Sequence, residues 1–239
     1  NKEYICEGTT VNYTDLSYNA IPTSWNWTFN GGSPSSSSSQ NPSVTYNVAG
    51  VYNTTNRPSS SAGTDSITKT NIITVSSLMA DYTAAFVDDL ENTTQFNNDW
   101  RIENLDLGTQ TWELNTVAST SGSQSVRIRN FFVDSGQVDE LISPSYDLSV
   151  LSNKTLTFKQ AFAKRSAQYS GERILVYYSL NCGESWLLKS GVSATALPTA
   201  PDHGSVFVPT ASEWVERTID LTSIGNAKSI RIGTEGAYP

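Results

Sequence analysis

The chain has 239 residues, 16% of them charged and 10% aromatic, with six Trp and eleven Tyr. That length allows one or two domains, and the mixture suits β-sandwiches with aromatic interiors and hydroxyl-rich faces rather than a disordered tail. The net charge of −8, with fifteen scattered Lys and Arg, argues against nucleic-acid binding and leaves carboxylates for hard cations. No run of about 18 apolar residues is present, so no membrane insertion is expected, and no signal peptide opens the chain.

In chain order, Val11 to Ser17 reads as a strand running into a turn, with Val11 and Tyr13 on one side and Asp15 and Ser17 bonding to nearby backbone. Trp25, Trp27 and Phe29 alternate with polar residues, the period of a strand with one buried face, so at least one of the two Trp is core. Gly31-Gly32 and Ser33-Pro34 carry turn chemistry, and the serine run Ser35 to Ser39 reads as a flexible hairpin loop. Asn41 to Tyr46 and Ala49 to Tyr52 form the next strand and corner. After Tyr52 the alternation fails, because Asn56 and Pro58 stand where aliphatics would be buried. Either this strand is at an edge or distorted, or these identities are not those of the gene. Ala62 to Ser66 and Ile72 to Val75 close the first half, and Ser76 to Thr83 link it to the second.

Beyond the linker, Ser125–Arg129 and Leu156–Phe162 alternate, while Ile174–Tyr178 is apolar on both faces, as in a central strand. Val206/Val208, Ile219/Leu221 and Ile230/Ile232 continue the series, with no convincing long amphipathic helix. The pattern predicts an all-β chain whose second half is another antiparallel sandwich.

The motifs sharpen this. The stretch Trp25 to Gly32, with Asn41-Pro42, Ala49-Gly50-Val51-Tyr52 and the closing hairpin, resembles a PKD domain, an immunoglobulin-like β-sandwich, in its Bacteroidetes-type variant; Gly31 stands where the family's motif has Asp. Asp89-Leu90-Glu91, Asp99-Trp100, Thr111-Trp112-Glu113, Asp139 to Leu148, Asn181 to Trp186 and Glu213-Trp214 resemble a MAM-like, or choice-of-anchor J, jelly roll. The resemblance implies an immunoglobulin-like PKD domain over 1–76, a linker over 77–84 and an antiparallel jelly roll over 85–239, read as clipped before a last strand. Such pairs resemble the C-terminal regions of secreted cytophagalysin-type metalloproteases and other type IX secretion cargo.

The chemistry is sparse. No His-Glu-x-x-His motif is present, and two Cys with one His exclude a zinc site built on those types. His203, in Ala200-Pro201-Asp202-His203-Gly204, reads as an exposed loop residue, and nothing like Gly-x-Ser-x-Gly precedes a helix. Cys6 and Cys182 can bridge, remain separate thiols, or leave Cys6 to an upstream partner. Asn181 to Trp186 has the shape of an Asp-box turn, read here as a folded β-turn, and Asp65-Ser66-Ile67 reads as a turn rather than an O-glycosylation triplet. The jelly-roll resemblance implies a structural calcium ion, for which Asp89, Glu91 and Asp139 are the expected ligands; the alternative is a solvated acidic rim. Trp100, Trp112, Trp186 and Trp214 are candidates for stacking on sugars, against the commoner fate of core residues. The expectation is a non-catalytic accessory region of a secreted or cell-surface protein. Its partners would be an upstream catalytic or adhesive domain of the same chain and a protein or polysaccharide polymer. An adhesin and a carbohydrate-binding module are the rival readings.

Overall fold

The computed structural model describes residues 3–18, 21–105, 107–132, 138–166, 171–225 and 231–237. Ser229 and Ile230, at the head of the expected final strand, lie outside the described residues. The chain divides into two units, Asn1–Met79 with Asn181–Ser185, and Ala80–Leu180 with Trp186–Pro239.

The first unit is built from β1 (Glu3–Cys6), β2 (Thr9–Asn12), β3 (Trp27–Phe29), β4 (Gly32–Ser33), β5 (Ser36–Ser37), β6 (Ser43–Tyr46), β7 (Gly50–Asn56), β8 (Ser59–Ser60), β9 (Gly63–Thr64) and β10 (Ile67–Ser76). Its larger sheet has the order β1-β10-β7-β3-β5 and its smaller one β2-β6-β4, while β8 and β9 form a separate hairpin. The alternation of Trp27 and Phe29 does what the period requires: both are buried, with Val44, Tyr46, Ile73 and Val75, and Trp25 packs against this core from its edge. Each such side chain contributes about 1.5–3 kcal/mol of burial. Gly31, at φ +70°, holds the left-handed turn after β3, where a Cβ would run into the Tyr52 ring.

Two expectations for this unit are corrected. The serine run is not all loop: Ser36 and Ser37 form edge strand β5, paired with Thr28 and Trp27. The strand after Tyr52 is not at an edge, because β7 is the middle strand of five. It ends at Asn56, two residues before Pro58, so the missing amide falls outside the ladder. The irregularity lies instead in β10, whose register shifts between Lys69 and Ile73; there Asn71 turns left-handed and its amide donates to Asn53 Oδ1 at 2.8 Å. Asn56 is buried by pairing rather than by apolarity: its Nδ2 donates to Asp15 Oδ1 at 3.3 Å.

The second unit holds α1 (Thr93–Asp99), β11 (Arg101–Asn104), β12 (Glu113–Asn115), β13 (Ser125–Arg127), β14 (Val138–Ile142), β15 (Thr155–Gln160), β16 (Arg173–Ser179), β17 (Leu187–Val192), β18 (Val215–Asp220) and β19 (Arg231–Ala237). One sheet is five-stranded and antiparallel, β11-β14-β19-β16-β17. Facing strands come as two separate pairs, β12-β13 and β15-β18, rather than as a second continuous sheet. Leu148, Val176, Ile219 and Leu221 form the buried core, with Leu156, Phe158 and Ile174 packed against it. The short helix α1 was not expected; Asn92 caps it by accepting from the Gln95 amide at 3.0 Å, and it buries Phe96. The chain is thus nearly all β, with α1 the one α-helix among the described residues.

Candidate functional site

Asp89, Glu91 and Asp139 are not gathered into one site. Among the described residues no three His, Cys, Asp or Glu side chains lie close enough to hold a metal ion. Asp89 Oδ1 accepts from the Glu91 amide at 3.1 Å, closing a local turn. Glu91 is a loop clamp: its carboxylate accepts from Ser123 N and Gln124 N, both at 2.8 Å, and from Ser123 Oγ at 2.6 Å. The Ser123 hydroxyl, then the two amides, hold its pKa below the usual glutamate value. Gly122 makes room for this, since a Cβ there would sit 2.4 Å from Glu91 Oε1. Asp139 is fully buried on β14, opposite Asn104, and its carbonyl accepts from Trp112 Nε1 at 3.2 Å.

His203 is exposed, as its turn-like stretch suggested. Its Nδ1 lies 3.0 Å from the Ser205 carbonyl and 3.3 Å from Ser205 Oγ. A carbonyl oxygen only accepts, so the shorter contact puts the proton on Nδ1 and leaves Nε2 as the accepting nitrogen. The turn is held by the His203 amide donating to Lys164 O at 2.7 Å and by a Lys164–Asp202 ion pair at 3.5 Å.

The four candidate Trp do not form an exposed platform, since all are half-buried. Trp100 Nε1 donates to Asp88 at 2.7 Å. Trp186 follows the 181–185 turn, in which Asn181 Oδ1 accepts from the Ser185 amide at 3.0 Å, the folded turn expected there. Trp100, Trp112 and Trp214 instead line a cavity of about 1190 Å³ within the second unit.

This cavity is the candidate site. Its walls are apolar and aromatic, with Phe86, Phe131, Phe158 and Phe207 beside the three Trp. A few polar atoms interrupt them. Gln160, buried at the end of β15, donates from Nε2 to Leu197 O at 2.7 Å, while its Oε1 is buried with no hydrogen-bond partner. Trp214 Nε1 and Glu172 Oε2 are in the same condition, and all three residues line the cavity. On one wall Arg127 and Arg129 direct Nε at the same Glu113 oxygen, at 2.9 and 3.1 Å. Arg165 lies over the Phe131 ring, 4.5 Å from its centre. Apolar walls with a few convergent polar atoms are the build of a binding cleft. His203 and Ser205 also line it, with Ser205 Oγ 3.3 Å from His203 Nδ1. Alternation in β13 and β15 marked these strands in the sequence, but which strands remain unpaired carries no sequence signal, so the cleft was missed.

A disulfide joins Cys6 to Cys182, settling the question the sequence left open. Cys182 sits left-handed and buried in the 181–185 turn, which clusters with the first unit.

No family model matches the chain, and no curated protein sequence matches it. Among solved structures it is similar to one of carbohydrate-binding modules from the beta-sandwich super family, at 14% identity and a TM-score of 0.43, covering 99% of this chain and 88% of that one. It is also similar to the K3 cleaved adhesin domain of Lys-gingipain from Porphyromonas gingivalis w83, at 18% identity and a TM-score of 0.38, covering 60% of this chain and 87% of that one.

Proposed function

We propose that this chain is a non-catalytic binding region of a secreted or surface-displayed multidomain protein, and that its second unit holds a polymeric ligand in the cleft. The observation that carries the reading is the cleft itself: about 1190 Å³, aromatic-walled, with the buried and unsatisfied Gln160 Oε1 on its lining. A ligand seated there would release water from its apolar walls, and a donor on it would satisfy the buried Gln160 carbonyl. The Cys6–Cys182 disulfide supports an oxidising compartment outside the cytosol. In this reading the first unit is a PKD-type spacer and the second a MAM-like binder. Both serve an upstream catalytic or adhesive domain, such as the metalloprotease of a type IX secretion cargo. Calcium, if it acts here, would do so through Asp89 or Asp139 singly, since the Glu91 carboxylate is engaged.

Intrinsic Trp fluorescence of the chain, titrated with gelatin and with soluble xylan, tests this. Saturable binding of either polymer is expected, weakened at least tenfold by Trp112→Ala or Trp214→Ala in variants that keep the wild-type circular dichroism. Xylan binding alone would single out a carbohydrate-binding module. Cleavage of either polymer by the chain would overturn the non-catalytic reading.

A further inference from the structure

The strands beside the cleft have hydrogen-bonding edges left over. Among the described residues β13 pairs only with β12 and β15 only with β18. No other backbone hydrogen bond among them reaches residues 126–128 or 155–160. Both edges front on the cavity, because Gln124 to Arg129 and Thr155 to Ala163 line it as unbroken runs. A strand turning one face to a cavity contributes alternate residues, so unbroken runs mean that the space follows the backbone edges themselves.

The two flanks also agree in pattern. On the inward parity are Val126 and Ile128 from one side and Leu156 and Phe158 from the other, the latter two packed on the core. On the opposite parity are Arg127 and Arg129, which share it with the buried Ser125, then Thr157 and Lys159. Arg127 and Arg129 share the single carboxylate of Glu113, and Lys159 faces Glu216 across the β15–β18 ladder. These two strand edges thus carry three cations against two carboxylates, the other carboxylates of the lining, Asp88, Asp89 and Glu172, standing on other segments, in a chain whose net charge is −8. The space has a strand's size: a strand residue fills about 160 Å³, from its rise, the interstrand spacing and the intersheet spacing, so about 1190 Å³ holds about seven.

We propose that the cleft receives an extended segment of a partner polypeptide, about seven residues long, with apolar side chains inward and acidic ones outward, which joins the pairs β12-β13 and β15-β18 into one sheet. This rests on the reading of the chain as a binding region and names the class of its ligand. A polypeptide offers N–H and C=O groups in the two-residue repeat that both edges present, whereas a polysaccharide does not. The acidic positions meet Arg127, Arg129 and Lys159, and the apolar ones fill the space above Leu156 and Phe158.

The probe is a capped heptapeptide of alternating Val and Asp, added to the full chain and read by calorimetry and by hydrogen exchange. Saturable binding is expected, with slowed exchange at 126–128 and 155–160 together. A Pro at the central position should weaken binding at least tenfold by removing an N–H, and Lys in place of Asp should do likewise by charge. Arg127→Glu with Lys159→Glu should restore the Lys peptide over the Asp peptide, an exchange of preference that simple unfolding cannot produce. Binding that tolerates the Pro, or that leaves either edge exchanging freely, overturns the proposal. So does a dimer in sedimentation that the peptide cannot dissociate, since a second copy would then fill the cleft. If xylan protects the cleft and the peptide does not, the strand proposal falls while the binding reading stands. If no probe binds, both fall.

Discussion

Removing the cystine gives the largest effect that can be worked from the structure. Cys6 and Cys182 are 176 residues apart in sequence, and both belong to the first unit. If the whole chain unfolds, closing a loop of that size removes denatured-state entropy worth about 5 kcal/mol at 25 °C. If only the first unit opens, the free loop from Cys6 to the second unit is about 75 residues, and the figure falls to about 4.5 kcal/mol. The Cys6→Ser/Cys182→Ser double variant should therefore lose about 4–5 kcal/mol in the first unit, most of the stability such a small sandwich has. With a urea slope of about 1–2 kcal/mol/M, its midpoint should drop by about 2–5 M. The assay is urea-dependent hydrogen exchange followed on peptides covering β6 and β10, whose Val44, Tyr46, Ile73 and Val75 form the first core. Equal midpoints, with mass spectrometry confirming an intact wild-type disulfide, would refute the entropic reasoning and mean that the bond closes a segment already ordered in the denatured chain.

Asp15 gives a pH signature. Burial pushes its pKa up, but hydrogen bonds from Ser17, Trp25 and Asn56 outweigh this and hold it below the ordinary aspartate value. Its stabilisation is therefore complete above an unfolded pKa of about 4 and is lost as pH falls through the folded value. Asp15→Asn should cost the first unit about 1 kcal/mol near pH 7, the site being half exposed, and should flatten the acid limb of its stability below an unfolded pKa of about 4. An acid limb unchanged from wild type would count against it. Glu91→Gln and Gly122→Ala should each lower the melting temperature of the second unit by the same amount in EDTA and in millimolar calcium, because both loosen the Ser123–Gln124 turn. A loss seen only with calcium would return Glu91 to the role of a metal ligand.

The first unit was the more legible half, because period-two alternation reports which side chains face inward, and Trp27, Phe29, Val44 and Ile73 obey it. Asn56 broke the pattern for a reason that a window of neighbours cannot contain. Its partner Asp15 lies 41 residues away, and the register shift that accommodates the strand lies in β10, capped by Asn53. The serine run was misjudged because β5 is defined by the backbone of β3, and serine side chains neither favour nor forbid that pairing. In the second unit α1 did leave a trace, an Asn92 cap with Phe96 and Trp100 four apart, but Thr93, Thr94 and Asn97 are weak helix formers and hid it. The expected calcium ligands were read as free carboxylates; the hydroxyl and amides that occupy Glu91 come from a loop more than thirty positions on. Edges are set by what fails to pair, and that is a property of the assembled sheets rather than of any stretch of residues.

The bond between Cys6 and Cys182 also sets a load path. Tension entering the chain before Cys6 and leaving it after Cys182 passes through the sulfur bridge, and every residue between them hangs from that bridge as a side loop. Strands β2 to β10 of the first sandwich and β11 to β16 of the second unit thus feel no covalent pull along that route, whereas β1 and β17 to β19 lie on it. Reducing the cystine would bring those shielded strands into line with the force.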